Sequence, residues 1–235
     1  MYYWGYYSSM IVLIPAIIFT FYAQISVKSN FDKYSKINNS LGMTGMEAAR
    51  RMLEANGLGH LPINILNGNS LTNYYDPRNK TLNLSQEIYN SRSITACCVA
   101  CHEVGHAIQD DLGYGPLRLR NTIVPVVNLS QNIAWPLIII GMIFTFKAET
   151  QSIFFTIGVL CFVFVVLFHL ITLPVELNAS SRALEQLQEL NMVNDADLVG
   201  SRKVLRAAAM TYIAALAAAL ANLLRVLLIV GGRRD

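Results

Sequence analysis

Two histidines and a glutamate lie on one predicted helix with the spacing of a metal centre. His102 and His106 are four residues apart, so both imidazole rings leave the same face of a helix, one turn from each other. Two neutral imidazole nitrogens at that spacing can bind one tetrahedral Zn²⁺. Glu103 lies about 100° further round the helix, where it can act as a base on water without binding the metal itself. The three residues predict zinc-dependent hydrolysis with one Zn²⁺ per chain.

The helix that carries these residues has clear boundaries in the sequence. Ser93 is a favourable N-cap, Gly113 is a favourable C-cap, and no proline lies between them. Gly105 leaves part of the helix surface bare, so another segment can approach it closely. The pattern is the H-E-x-x-H of zinc peptidases. Its longer metzincin form is excluded because residues 109 and 112 are Gln109 and Leu112. A third protein ligand must therefore come from elsewhere in the chain.

Four long uncharged segments predict membrane-spanning helices. Hydrophobic residues make up 54% of the 235 residues and charged residues only 14%, against about a quarter in soluble domains. The segments are residues 2–25, 121–146, 152–175 and 207–224, each long enough to cross a hydrocarbon core of about 30 Å. The first lacks the basic start and the cleavage site of a signal peptide. The lipid bilayer is therefore a predicted partner. Nucleic acid is excluded, because the net charge of +3 forms no dense basic patch.

Basic residues are distributed unevenly between the two predicted membrane faces. Nine lie near the helix ends on the His102 side: Lys28, Lys33, Lys36, Arg118, Arg120, Arg182, Arg202, Lys203 and Arg206. Three lie on the opposite side: Lys147, Arg233 and Arg234. The excess predicts that the His102 side is cytoplasmic.

A carboxylate after the third apolar segment is the favoured third ligand. Two membrane crossings separate His106 from Glu176, so both residues are expected on the same membrane face. Pro174 is expected to end or kink the span, and a helix is predicted to continue to about residue 190. The small residues that would let this helix lie close against another are Ala179, Ser180 and Ala183. Glu176 would complete a His₂Glu set, which is typical of catalytic zinc.

Other residues compete with Glu176 as the third ligand, namely His60, His169, Asp110, Asp111, Glu185 and Glu189. His169 fits better as a hydrogen-bonded histidine inside the membrane. Asp110 is one turn beyond His106 and is predicted either to accept the second N–H of that ring or to be a solvated acid at the helix end. Glu185 and Glu189 fit an exposed helix face.

A small sheet is predicted before the histidine helix. Residues 61–66, 71–75 and 80–84 are expected to form three strands of an antiparallel meander, with turns at 67–69 and 76–79. Its free edge could hold an extended peptide over the metal, or the sheet could be purely structural. Tyr74 and Tyr75 are expected to pack in the sheet, with donation to an oxyanion as the alternative. Upstream, Thr44 and Glu47 predict a capping box for a helix that ends at Asn56-Gly57.

The four cysteines are expected to be small apolar side chains in a reducing compartment. They are Cys97, Cys98, Cys101 and Cys161. An alternative places Cys98, one turn before His102, near the metal.

The predicted fold is a mainly α integral membrane protein with about four transmembrane helices and a small α+β zincin-like metallopeptidase domain. Residues 1–27 form the first membrane helix, and 28–120 form the zincin-like domain with the H-E-x-x-H helix. Residues 121–175 form a membrane hairpin, 176–206 the third-ligand helix and its cap, and 207–235 the last membrane helix and tail.

Several motifs along the chain together resemble the YugP-type family of bacterial membrane-bound neutral zinc metallopeptidases. They are Asn39-Ser-Leu-Gly-Met-Thr-Gly45, Ala55-Asn-Gly-Leu58, Leu71-Thr-Asn-Tyr-Tyr-Asp-Pro-Arg78, Ser93-Ile-Thr95, His102-Glu-Val-Gly-His-Ala-Ile-Gln109, and Pro174-Val-Glu-Leu-Asn-Ala-Ser180 followed by Arg182-Ala183. The resemblance implies a membrane protease, in the plasma membrane of a bacterium, with His102, His106 and Glu176 on zinc and Glu103 as general base. It also implies a peptide or protein substrate.

The chain is more distantly similar to the gluzincin proteases of membrane quality control. Their third-ligand helix reads Glu-x-x-x-Asp, and the last position here is Ser180. Asn73 and Tyr74 stand where that family's strand motif has an acid and a histidine. Arg182 and Tyr75 are candidates for the donor to the oxyanion. The function predicted from all these features is hydrolysis of peptide bonds in membrane or unfolded proteins. The alternatives are an inactive zinc-binding scaffold or chaperone-like protein, and a metal transporter.

Overall fold

The computed structural model describes residues 10–68, 72–145 and 152–231. The helices in these ranges are α1 (Leu13–Tyr34), α2 (Gly45–Ala55), α3 (Gln86–Asn90), α4 (Ile94–Asp111), α5 (Gly115–Thr145), α6 (Ile153–Glu189) and α7 (Asp195–Gly231). The strands are β1 (Ile63–Leu66), β2 (Tyr74–Asp76) and β3 (Thr81–Ser85). The predicted mainly α architecture with a small sheet is therefore confirmed.

The chain divides into two compact units. One contains Met1–Tyr22, Leu119–Leu173 and Thr211–Asp235, and the other contains Ala23–Arg118 and Pro174–Met210. The division between Leu173 and Pro174 falls inside α6, because that helix runs through Pro174 without ending. Of the two expectations for Pro174, the end of the helix is therefore wrong. The second unit contains the sheet, α4 and the part of α6 that follows the proline.

The first unit is built from long apolar helices. Three helical stretches are long and apolar enough to cross a membrane, Gly115–Phe144, Ile153–Glu189 and Asp195–Ile229. They coincide with the last three predicted spans and indicate membrane association. Helix α1, which holds residues 13–25 of the first predicted span, is not one of these three stretches in the described part of the chain, so four spans are not confirmed. Residues 2–9, Lys147, Arg233 and Arg234 lie outside the described ranges.

The first unit also has two small clusters of buried apolar residues. Ala134, Ile138 and Phe162 belong to one of them, and Val127 and Val165 belong to the other.

The second unit has one apolar core around α4. Met52 and Leu53 of α2, Leu82 and Leu84 of β3, and Leu187 of α6 are all fully buried in it. The predicted capping box orients α2 over this core. The Thr44 hydroxyl accepts a hydrogen bond from the Glu47 backbone N–H at 3.1 Å, and the Glu47 carboxylate accepts one from the Thr44 N–H at 2.7 Å. The backbone N–H at Thr44 lowers the pKa of the Glu47 carboxyl.

The sheet corrects the predicted meander. Its strand order is β1-β3-β2, with β1 parallel to β3 and β2 antiparallel to β3. Of the two predicted turns, the one at 76–79 is a tight turn, and residue 69 of the other lies outside the described ranges. In the 76–79 turn the Asp76 carboxylate accepts hydrogen bonds from the Arg78 and Asn79 backbone N–H groups, and this turn joins β2 to β3 as a hairpin. The link 67–73 is longer, so the chain passes over one strand position and β3 pairs between the other two.

Candidate metal centre

Helix α4 has the boundaries that its sequence predicts. The Ser93 hydroxyl accepts a hydrogen bond from the Ala96 backbone N–H at 3.1 Å, which satisfies a free donor of the first turn. At the other end Gly113 has a φ of +65°, and the Tyr114 N–H donates to the Gln109 carbonyl at 2.8 Å. This Schellman arrangement is favoured by glycine, because other L residues are strained at positive φ.

Helix α6 lies in direct backbone contact with α4 at Gly105. A Cβ atom added at Gly105 would stand 2.6 Å from the Ala179 carbonyl oxygen and 3.1 Å from its Cα. Ala179 and Ala183 of α6 are fully buried. The predicted close approach is confirmed, and it depends on the bare surface at Gly105 together with the small residues of α6.

The close approach brings Glu176 to the two histidines. Its Oε2 atom lies 3.4 Å from His102 Nε2 and 3.6 Å from His106 Nε2. The three candidate ligand atoms all lie within 4.8 Å of one another, and the imidazole rings are nearly perpendicular at 82°. His106 and Glu176 are buried, whereas His102 is partly exposed. Two imidazole nitrogens and one carboxylate oxygen at these distances are a donor set that could hold Zn²⁺.

No other predicted candidate belongs to this group, which is the one cluster of three such residues in the described part of the chain. The residues outside the group are His60, His169, Asp110, Asp111, Glu185, Glu189 and Cys98. Cys98 is fully buried, and its thiol donates to the Thr95 carbonyl at 3.4 Å. Burial raises the pKa of the Cys98 thiol, so the side chain stays protonated and apolar. Burial likewise raises the pKa of Cys97 to about 12.

Gln109, and not Asp110, is the outer partner of His106. Its Oε1 atom lies 3.0 Å from His106 Nδ1. The Asp110 carboxylate instead accepts a hydrogen bond from the Tyr75 hydroxyl at 2.8 Å and pairs with Lys80. Of the two alternatives for Asp110, the contact with His106 is therefore wrong. On a helix, the side chains three and four positions after a residue are about equally near to it. Here Gln109, three positions after His106, is the one that faces inward.

The contacts of Gln109 fix the tautomer of His106. The amide nitrogen of Gln109 donates to the Val175 carbonyl at 2.8 Å and to Asn178 Oδ1 at 3.0 Å. The same Asn178 oxygen accepts from Arg182 Nε at 2.8 Å, and arginine has no acceptor atom. The Gln109 amide therefore cannot be turned round, and its oxygen faces His106. His106 must carry its proton on Nδ1, which leaves the Nε2 lone pair directed to the Glu176 side.

Ser180 is the outer partner of His102. Its hydroxyl lies 3.1 Å from His102 Nδ1. A hydroxyl can donate or accept, so Ser180 holds the ring in place without choosing its tautomer. Both histidines thus have an uncharged partner at Nδ1, an amide oxygen for His106 and a hydroxyl group for His102.

Glu103 lies beside the sheet edge. Its Oε2 atom accepts a hydrogen bond of 3.1 Å from the backbone N–H of Tyr75 in β2, and the side chain is buried. Tyr75 is itself buried, and Tyr74 is 47% exposed. Burial and the Asp110 contact raise the pKa of the Tyr75 phenol. Because the Tyr75 hydroxyl and Arg182 Nε are both bonded to other residues, neither of these donor atoms is directed to the histidine pair.

Sequence reasoning did not predict Gln109 or Ser180 as a partner of a histidine, although it named Ser180 as a small residue of the helix contact and as the residue in place of the gluzincin aspartate. Gln109 is three residues after His106 on the same helix, which was a usable signal. Ser180 needed the rotation of α6 against α4, which only the folded chain provides.

A His₂-carboxylate group beside a buried glutamate, in a chain whose described part has three helices apolar enough to cross a membrane, indicates the class of membrane-associated zinc-binding proteins. The sequence comparisons agree with that class. The chain belongs to the family described as "Putative neutral zinc metallopeptidase", whose sequence model matches residues 9–231. It is 44% identical over 222 residues to "Putative membrane protease YugP" of Bacillus subtilis (strain 168), covering 94% of this chain and 96% of that protein. No solved structure is significantly similar to the chain.

Proposed function

We propose that the chain is a zinc-dependent membrane endopeptidase that hydrolyses peptide bonds of membrane or unfolded proteins. The observation that carries the proposal is the convergence of His102, His106 and Glu176, whose candidate ligand atoms lie within 4.8 Å of one another. These three residues would hold one Zn²⁺ per chain. Zinc in such a site supplies a Lewis acid that activates water and polarises a carbonyl group. Membership of the metallopeptidase family supports the assignment.

Glu103 is the general base in this proposal. It takes a proton from water and delivers it to the leaving amine, so the carboxylate ends the cycle unchanged. The Tyr75 backbone N–H holds one carboxylate oxygen, which orients the other toward the reacting atoms. His106 can bind a metal only through Nε2, because its Nδ1–H donates a hydrogen bond to Gln109. Together these contacts hold the reactive groups in place before a substrate arrives.

We place the substrate next to β2. This strand is an edge of the three-stranded sheet, and its Tyr75 backbone reaches Glu103. An extended peptide alongside β2 would therefore have a carbonyl group near the base. The proposal includes a zincin-like domain in residues 28–120. It also includes a membrane span in residues 2–25, in addition to the three apolar helices.

The test replaces Glu103 by glutamine in the full-length protein. Glu103→Gln keeps the shape and the Tyr75 contact but cannot accept a proton, so hydrolysis of an unfolded protein substrate should fall about 10²- to 10⁴-fold. Zinc content, measured by mass spectrometry of the metal, should stay near one per chain. Glu87→Gln, at an exposed position on α3, is the matched control and should keep full activity. Full activity in Glu103→Gln would refute the mechanism. Zinc without hydrolysis in every form would favour the scaffold.

We also propose that the site lies on the cytoplasmic face of the membrane. Nine basic residues on the His102 side against three on the other give this orientation. A cysteine introduced at Asn79 should therefore resist a membrane-impermeant thiol reagent in intact cells and react after the membrane is opened. The native cysteines in the second unit, Cys97, Cys98 and Cys101, are buried and should contribute little labelling. Labelling of the Asn79 variant in intact cells would show the opposite orientation.

A further inference from the structure

A groove with a volume of about 330 Å³ lies between α6 and α7 in the second unit. Leu177 and Leu184 line it from α6, and Leu205 and Ala209 line it from α7. None of the proposed metal ligands lines the groove, and neither does Glu103. Ser180 does, and its hydroxyl also contacts His102. The groove is therefore separate from the candidate metal centre but shares one residue with its surroundings.

One end of the groove adjoins the apolar segments of both helices along the chain. Leu177 follows the segment that ends at residue 175, and Ala209 lies at the start of the segment that begins at residue 207. Leu177 is 43% exposed, so its side chain is accessible to a ligand in the groove. An acyl chain can therefore enter the groove at this end from the membrane.

The α7 wall of the groove is basic. Arg202 and Arg206 are four residues apart, so they leave one face of the helix together. Both are exposed, and neither forms a hydrogen bond or an ion pair with any residue that the structure describes. Two guanidinium groups with unused donors match the geometry of a phosphodiester. Glu185 and Gln188 on the α6 wall offer acceptors to a hydroxylated headgroup.

We propose that this groove binds one anionic phospholipid of the bilayer. The phosphate lies at Arg202 and Arg206, and an acyl chain extends past Leu177 and Ala209 toward the membrane. The groove matches a phospholipid in the order of its charged and apolar parts as well as in charge, since the two arginines directly precede the apolar segment of α7. A bound lipid would contact Ser180, whose hydroxyl lies 3.1 Å from His102 Nδ1. That consequence for activity depends on the proposed peptidase function, whereas the binding itself does not.

The test titrates phosphatidylglycerol into the purified full-length protein in a neutral detergent and counts retained lipid by native mass spectrometry. One phosphatidylglycerol should be retained in preference to a phosphatidylcholine with the same acyl chains. Arg202→Gln combined with Arg206→Gln should weaken retention about 30-fold, because each interfacial arginine contributes several-fold to the affinity for anionic lipid. Both side chains are exposed and unpaired, so the double variant should fold normally.

Lys28→Gln combined with Lys203→Gln is the matched control. It removes the same charge from exposed positions outside the groove and should keep the bound lipid. Ser181→Phe, at an exposed position that lines the groove, should block the acyl chain and reduce retention of both lipids. Equal loss in the two double variants would overturn the proposal, and so would equal retention of the two lipids. Binding of inorganic phosphate without lipid at the same two arginines would assign the site to a free anion instead.

Lipid counts and peptidase assays separate the two proposals. Retained phosphatidylglycerol in a protein that cleaves nothing would leave the lipid site standing and refute the peptidase. Hydrolysis by a protein that binds both lipids equally would do the reverse.

Discussion

Helix α6 has two faces that meet their neighbours in opposite ways. On the face toward α4, Ala179 and Ala183 are fully buried, and the backbone at Ala179 touches the bare surface of Gly105. On the face toward α7, Leu177 and Ser181 line an open groove of about 330 Å³. We call these the closed face and the open face of α6.

Side-chain size and polarity produce the difference between the two faces. Alanine opposite glycine lets two helix backbones come into contact, and interior packing of this density transmits small displacements instead of absorbing them. On the other face, Arg202 and Arg206 of α7 are exposed, because their charges need water or a counterion. The closed face therefore fixes the position of Glu176, whereas the open face leaves room for a ligand. Ser180 lies at the boundary and contributes to both.

The largest expected effect comes from removing the carboxylate of the closed face. Glu176→Ala should lower zinc affinity by more than about 100-fold, because loss of an outer partner alone typically costs 10- to 100-fold. Zinc affinity is measured by competition with a coloured chelator. Glu189→Ala removes the same group from an exposed position on the same helix and should leave zinc affinity unchanged. Unchanged zinc affinity in Glu176→Ala would remove Glu176 from the metal site and would end the functional contrast between the faces.

Local features of α4, the helix that packs against the closed face, could be predicted from the sequence. The N-cap at Ser93, the glycine at Gly113 and the bare surface at Gly105 each depend on a few neighbouring residues and the geometry of one helix. Glu176 could be expected near the histidines because, in the predicted topology, two crossings return the chain to its starting side. Its approach to the histidines then follows from the small residues around it.

The sheet order and the outer partners could not be predicted in the same way. The position of β1 depends on where a seven-residue link, residues 67–73, carries the chain, and the strand pattern alone does not contain that information. The contact of Ser180 with His102 depends on the rotation of α6 about its own axis. The groove on the open face depends on the same rotation, so it was not predictable either.

A smaller effect is expected from filling the contact between the two backbones. Gly105→Ala places a Cβ atom 2.6 Å from the Ala179 carbonyl, so α6 must move away from α4. The free energy of unfolding should fall by about 1–3 kcal/mol, as is usual for overpacked sites. Zinc affinity should fall as well, because Glu176 moves with α6. Thermal unfolding followed by circular dichroism measures the first effect, and the chelator competition measures the second.

Gly115→Ala is the matched glycine control. An added Cβ meets nothing within 4 Å at that position, so unfolding and zinc affinity should stay close to those of the wild type. Equal destabilisation by Gly105→Ala and Gly115→Ala would mean that the closed face is less tightly packed than the distances imply.

The smallest expected effects separate the two histidine partners. Gln109→Met removes a fully buried amide with three hydrogen bonds, and so releases the Nδ1–H of His106 and two acceptors at once. Ser180→Ala removes one hydroxyl from the partly exposed His102, whose ring water can reach. Zinc affinity should therefore fall toward the upper end of the 10- to 100-fold range in Gln109→Met and toward its lower end in Ser180→Ala.

A conservative variant shows whether the Ser180 effect comes from the hydrogen bond. Ser180→Thr keeps the hydroxyl and should restore most of the zinc affinity that Ser180→Ala loses, whereas a purely structural role would make the larger threonine no better than alanine. Gln109→Glu, by contrast, should not restore the zinc affinity that Gln109→Met loses. Its second carboxylate oxygen would face the Val175 carbonyl and the Asn178 oxygen. Both of these atoms are acceptors, and a carboxylate has no hydrogen to donate to them. If Gln109→Glu bound zinc more tightly than the wild type, the assigned direction of the Gln109 amide, and with it the Nδ1–H tautomer of His106, would be wrong.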